Sequence, residues 1–182
     1  MTSETKAVEM VAELMALSAR TAPKARGTDS IAIKVVAGED LMSLSREMRH
    51  IGEERGLSHL LRDAGNMEQS DACVLIGFKG ESAAGLDCGG CGYATCQKML
   101  DAQKNSSQDR PFKGPNCAIR MADLGIALGS AAKTASLHNV DNRIMFTAGV
   151  SALSLGWLDG CNIAYGIPLK AAGKSIYFDR PG

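Results

Sequence analysis

Cys88, Cys91 and Cys96 lie in the string LDCGGCGYATC, a C-x2-C-x4-C spacing, and Cys117 follows in GPNC after twenty further residues. Four thiolates are the number that a cubane iron–sulfur cluster requires. Three closely spaced ligands let one loop wrap such a cluster, and a distant fourth closes the cage from another segment. Gly89, Gly90 and Gly92 suit that loop, because glycine adopts left-handed backbone angles and leaves room for amide N–H groups to approach inorganic sulfide. Such hydrogen bonds, with burial and local charge, tune a reduction potential. Asp87 and Lys98 are the nearest ionisable groups in sequence.

Other thiol chemistries fit less well. Structural zinc usually takes two short Cys or His pairs, whereas this layout has one pair, a third cysteine after four residues and a lone fourth. A zinc clip ordering residues 86–117 for partner binding stays open as a non-redox alternative. Disulfides suit exported chains, and a thioredoxin-like C-x-x-C normally stands alone near a helix start. Of the two remaining cysteines, Cys161 competes with Cys117 for the fourth ligand position but follows the turn-like Asp159-Gly160. Cys73 falls in an apolar run, where a free thiol behaves as a small hydrophobe.

Little else in the chain suggests chemistry. His50, His59 and His138 lack the four-residue step of a helical metal pair. No G-x-G-x-x-G follows a strand, no G-x4-G-K-[ST] occurs, and no G-x-S-x-G occurs, so dehydrogenase, kinase and hydrolase readings lack their defining loops. Met42, Met48, Met99 and Met121 read as core filling. Twenty Lys and Arg balance twenty Asp and Glu, and aromatics are 4% of the chain, which argues against a nucleic-acid partner. The longest uncharged apolar run, 144–158, is shorter than the roughly 20 residues of a membrane span. Glu4, Lys6, Glu9 and Glu13 interrupt any secretory leader, so a cytoplasmic location is expected.

The elements that must position the cysteines follow from periodicity. With 182 residues and 45% hydrophobic residues, one domain spanning 1–182 is expected, with 86–117 as an inserted module. Val8, Val11, Ala12, Met15 and Ala19 predict a first helix within 4–20. Ile31 to Val36 predicts a short strand, Glu39 to Gly56 a second helix, and Ala72 to Phe78 a central strand covered on both faces. Ala118 to His138 predicts a helix in which Gly125 and Gly129 let another backbone approach closely. Asn142 to Leu158 predicts a further helix and Ser175 to Phe178 a last strand. The sum is an α+β fold, a layered mixed sheet with packed helices.

These motifs carry three resemblances. The segment from Cys88 to Cys117 resembles the four-iron, four-sulfur domain of corrinoid iron–sulfur proteins and of cluster-bearing subunits of membrane electron-transfer complexes, with Cys91-Gly92 matching their C-x2-C-G-x3-C. The strings SARTAPKARG, DACVLIGF, GPNCAIRMADLGIALGSAAK and GIPLKAAGKSIYFDR are similar to an uncharacterised family of ferredoxin-domain proteins from anaerobic bacteria and archaea. That resemblance implies one [4Fe-4S] cluster on Cys88, Cys91, Cys96 and Cys117. In many relatives of the cluster domain Pro and Gly follow the fourth cysteine; here Gly114 and Pro115 precede it. Element order, DLGIALGSAA at 123–132 and YGIP at 165–168 also resemble nitroreductase-like flavoproteins, which bind FMN at a dimer interface. The combined expectation is a cytoplasmic one-electron carrier with a redox partner protein or flavin as its partner. The enzyme alternative is an FMN-dependent oxidoreductase, a homodimer using the cluster as electron port. Arg20, Lys24 and Arg26 could then supply charge to a flavin phosphate, or form only a solvated loop.

Overall fold

β2 (Ala72–Lys79) is the strand around which the rest is arranged, and every residue but Lys79 is buried. It is flanked by β1 (Ile31–Ala37), which pairs antiparallel from Ile31↔Phe78 to Ala37↔Ala72, and by β4 (Cys161–Lys170), also antiparallel. A two-residue β3 (Asp141–Asn142) completes the antiparallel order β1-β2-β4-β3. The computed structural model describes residues 2–106 and 110–178.

Alternation along β2 sends Val74, Ile76 and Phe78 to one face and Cys73 and Leu75 to the other. The first face is covered by α1 (Ser3–Thr21) and α5 (Ala118–Leu137); the second by α2 (Gly38–Arg55), α3 (Ser58–Glu68) and α6 (Phe146–Ser154). This is the expected layered α+β architecture. α1 begins where the Thr2 side chain accepts from Thr5 N and buries the expected apolar stripe. α2 ends on Gly56 at φ 65°, a left-handed cap. α6 lies directly on β4: a Cβ on Gly149 would meet Ala164 O at 1.8 Å.

Several expectations are corrected. α3 was not anticipated; Leu60, Ala64 and Met67 form its buried face. The helix expected over 142–158 is shorter, because Asp141–Asn142 pairs with β4 and Met145 bridges to Gly166 before α6 begins. The last strand is β4; Ser175–Phe178 instead lies in the closing turn, where Tyr177 is buried and shares a 2.8 Å hydrogen bond with Ser70. Gly125 and Gly129 do not admit a neighbouring backbone, since nothing lies within 4 Å of a Cβ at either. α5 packs on α1 and the sheet through Leu124, Ala127, Leu128, Ala131 and Ala135.

Candidate metal centre

Cys96 is the first residue of α4 (Cys96–Lys104), a helix inside the segment expected to be irregular, and Cys117 is the N-cap of α5. Both thiols therefore sit at a helix N-terminus, whose dipole favours negative charge; α5 has no side-chain cap, whereas in α4 the Thr95 side chain accepts from Lys98 N at 3.2 Å. Cys88 is exposed, Cys91 and Cys96 are half-buried and Cys117 is buried. Cys91 lies inside a tight turn: Gly92 N donates to Gly89 O at 2.9 Å, with Gly89 at φ 71° and Gly92 at φ 85°. Gly90 has a different task. A Cβ there would lie 3.5 Å from Ala118 Cβ and 3.7 Å from Cys88 Sγ, so the loop crosses the first residue of α5 beside Cys117. Cys91 and Tyr93 pack against Cys117, Ala84 and Met99 in an apolar cluster separate from the two faces of the sheet.

Two hydrogen-bonding side chains shape this neighbourhood, Asp87, already near the thiols in sequence, and Gln103, which nothing in the sequence marked. Asp87, at φ 45°, accepts from Cys96 N through Oδ1 at 2.7 Å and closes the loop from its first residue to its last. Gln103, 1% exposed, donates from Nε2 to Pro115 O at 2.8 Å and Asn116 Oδ1 at 3.1 Å, tying the far end of α4 to the residues before Cys117. Asn162 Nδ2 also donates to Asn116 Oδ1, at 3.1 Å, which couples the start of β4 to the same corner. The GPNC string was the signal available for Asn116; nothing in sequence pointed to its partners.

Among the described residues, no group of three or more His, Cys, Asp or Glu side chains is gathered closely enough to hold a metal ion. The backbone brings the cysteine loop to Cys117, while the thiols themselves are not converged. Their chemistry and the glycine-lined cradle fit a sulfur-ligated cluster. Cys161 fits poorly. Its Sγ would stand 2.8 Å from a Cβ on Gly77, it packs against the α2 and α6 side of the sheet, and burial pushes its thiol up to about 11. Cys73 is fully buried, and burial raises its pKa as well.

The three cationic side chains considered for a phosphate are committed to the chain itself. Arg20 pairs with Asp29 and donates to Ile31 O at 2.7 Å. Burial works to raise the Asp29 carboxyl, but the hydrogen bond from Arg20 holds it below its usual range. Lys24, its side chain 5% exposed, donates from Nζ to the carbonyls of Ala19, Arg20 and Ala22 and so caps the C-terminus of α1. Arg26 Nη1 donates to Ala84 O at 3.2 Å and Gly85 O at 3.4 Å. Lys24 is thus withdrawn into the C-terminus of α1, whereas Arg20 and Arg26 lie in a largely exposed loop, as the solvated reading expects, and bond to neighbouring groups within it.

An uncharacterized protein of Archaeoglobus fulgidus is 43% identical over 95% of this chain and 91% of its own length. Residues 113–180 match a family described as uncharacterized proteins containing a ferredoxin domain (DUF2148). The chain belongs to this ferredoxin-domain family. The matched stretch includes Cys117 and Cys161, and the Cys88–Cys96 loop precedes it. Among solved structures, nitroreductase A from Vibrio parahaemolyticus is similar in fold at TM-score 0.53 and 11% identity, over 96% of this chain and 61% of that one. The ferredoxin-domain chain thus spans about three fifths of that enzyme's length. A nitroreductase with bound FMN from Desulfitobacterium hafniense is similar at TM-score 0.55 and 12% identity, over 96% and 80%. The expected likenesses to the ferredoxin-domain family and, in fold, to nitroreductases are therefore found. No helix among the described residues is long and apolar enough to cross a membrane.

Proposed function

We propose that this chain is a cytoplasmic iron–sulfur protein in which Cys88, Cys91, Cys96 and Cys117 hold one [4Fe-4S] cluster for one-electron exchange with a redox partner protein. The observation that carries this reading is the passage of the cysteine loop over Ala118 at Gly90, beside the N-cap Cys117. When bound, such a cluster supplies a single reversible electron. The chain's own residues do the rest. Cys96 and Cys117 stand at the N-termini of α4 and α5, Asp87 holds the loop closed, and Gly89 and Gly92 supply the left-handed backbone that turns it. Cluster binding requires the four thiols to converge from their present arrangement, in which no metal-holding group is gathered among the described residues.

The test is reconstitution without oxygen, followed by iron, sulfide and zinc analysis of the wild type, Cys117→Ser and Cys161→Ser. About four iron and four sulfide per chain are expected in the wild type and in Cys161→Ser, with stoichiometric loading lost in Cys117→Ser. Colourless protein carrying one zinc would overturn the reading in favour of a structural clip. A second reading, an FMN-dependent oxidoreductase with the cluster as electron port, is favoured by the FMN-bound structure that shares this fold. Its test is flavin titration of the wild type beside Arg20→Met and Arg26→Gly, with unchanged flavin affinity in both variants counting against a phosphate site at this segment.

A further inference from the structure

We infer that Arg26 is a positioning residue which fixes the cysteine loop relative to Cys117, so that the basic segment of the nitroreductase-like fold serves here as a bracket for the cluster site. The inference rests on the proposed cluster reading and adds a role for a segment outside the ligand set.

The bracket starts on α5. Arg120, one helical turn beyond Cys117 and 2% exposed, donates from Nη1 to Ala25 O at 3.0 Å, Thr28 O at 3.1 Å and Asp123 Oδ2 at 2.9 Å. Asp123 Oδ1 in turn accepts from Ala25 N at 2.8 Å. Residues 25–28 are thereby held on both sides to the first two turns of the helix that carries Cys117. Within that clamp Arg26 adopts a left-handed backbone at φ 55° and ψ 20°, followed by Gly27 at φ 62°. A non-glycine residue avoids this conformation unless its surroundings impose it. Here the outcome is that the guanidinium reaches the carbonyls of Ala84 and Gly85, two residues before Asp87. Gly85 is itself left-handed at φ 67°, and a Cβ on it would lie 3.2 Å from Arg26 Nη1. A continuous set of contacts therefore runs from Cys117 through Arg120 and Asp123 to Ala25 and Arg26, then to Gly85, Asp87 and Cys96. It joins the distant fourth ligand to both ends of the loop that bears the other three. Both bonds come from one nitrogen, Nη1, so a lysine ammonium at this position can replace part of the contact.

The decisive variant is Arg26→Gly, which removes the guanidinium while keeping a residue at ease in the left-handed region. In apo protein, amide hydrogen exchange across 84–96 is expected to accelerate by about tenfold, the scale of losing a hydrogen bond from a charged group, with exchange in the core of α1 and α5 unchanged. In reconstituted protein, cluster loss to an iron chelator is expected to quicken and the reduction potential to move negative, with Arg26→Lys restoring part of each. Unchanged loop exchange in Arg26→Gly would overturn the bracket. So would FMN binding to the wild type that Arg26→Gly abolishes without altering loop exchange, since Arg26 would then be a phosphate ligand. A wild type that takes up no cluster, yet whose loop exchange still responds to Arg26→Gly, would support the bracket and remove the electron-carrier reading.

Discussion

Replacing Arg120 by methionine tests the buried pair on which α5 and the 25–28 segment depend. The change removes donations to Ala25 O, Thr28 O and Asp123, and leaves the Asp123 carboxylate, 3% exposed, without its counter-charge. Breaking a buried ion pair from one side destabilises by about 3–5 kcal/mol. Arg120 Nε has no hydrogen-bond partner, and removing that unmet donor draws the expected loss toward the lower end, about 3 kcal/mol. With a urea dependence of about 2 kcal/mol per molar, the unfolding midpoint falls by about 1.5 M. Asp123→Asn keeps an acceptor for Ala25 N but uncovers the guanidinium, so it also destabilises. In the double variant neither charge is stranded. The three proteins together with the wild type form a cycle whose coupling is expected to exceed about 1.5 kcal/mol. Losses that add to within about 0.5 kcal/mol would refute the claim that the two side chains act as one unit.

Asp87→Ala removes the acceptor for Cys96 N, and the reconstituted cluster is expected to survive chelator challenge for a shorter time than in Asp87→Asn, which keeps an oxygen at that position. Gly149→Ala places a Cβ at 1.8 Å from Ala164 O, so a loss of at least about 3 kcal/mol or failure to fold is expected in chemical denaturation. Gly129→Ala enters open space in a helix interior and is expected to stabilise by up to about 1 kcal/mol in the same assay. The Glu68 carboxyl is held below its usual 4.5, first by the hydrogen bond from Arg49 and against burial. A depressed folded pKa contributes stability that is complete above the unfolded value and is lost as pH falls through the folded one. Urea midpoints at about pH 6 and about pH 3.5 should therefore differ more in the wild type than in Arg49→Met.

Periodicity revealed α1, β1, α2, β2 and α5 because each has a single buried stripe or an unbroken apolar run. β4 escaped because Gly166 and Pro168, residues poorly suited to a strand interior, lie within it. Packing explains the glycine: a Cβ on Gly166 would stand 2.6 Å from Ala148 Cβ on α6. The aromatic residues near the C-terminus, with high strand propensity, drew the last strand to 175–178 instead. α3 escaped because its face is short and partly made of Ala64 and the buried acid Asp63, which pairs with Arg62 and accepts from Thr147. At the site, thiol spacing was legible because the loop is local. Gln103, Arg120 and Asp123 were not, since Arg120 finds its carbonyl partners 95 and 92 residues away.

The likeness to flavin-binding folds and the cysteine loop make competing demands on one stretch of chain. A phosphate held at 20–26 would need cationic groups free to face it, together with N–H donors. In this chain Lys24 satisfies helix carbonyls, Arg20 is matched by Asp29, and Arg26 holds the entry to the cysteine loop. Releasing any of them would uncap α1, strand Asp29 or free the loop. The shared architecture supplies a sheet with helices on both faces, and a fold of that kind hosts unrelated chemistries. What distinguishes this chain is that its basic segment bonds to its own backbone, with Arg26 reaching the carbonyls of Ala84 and Gly85 that lead into Cys88.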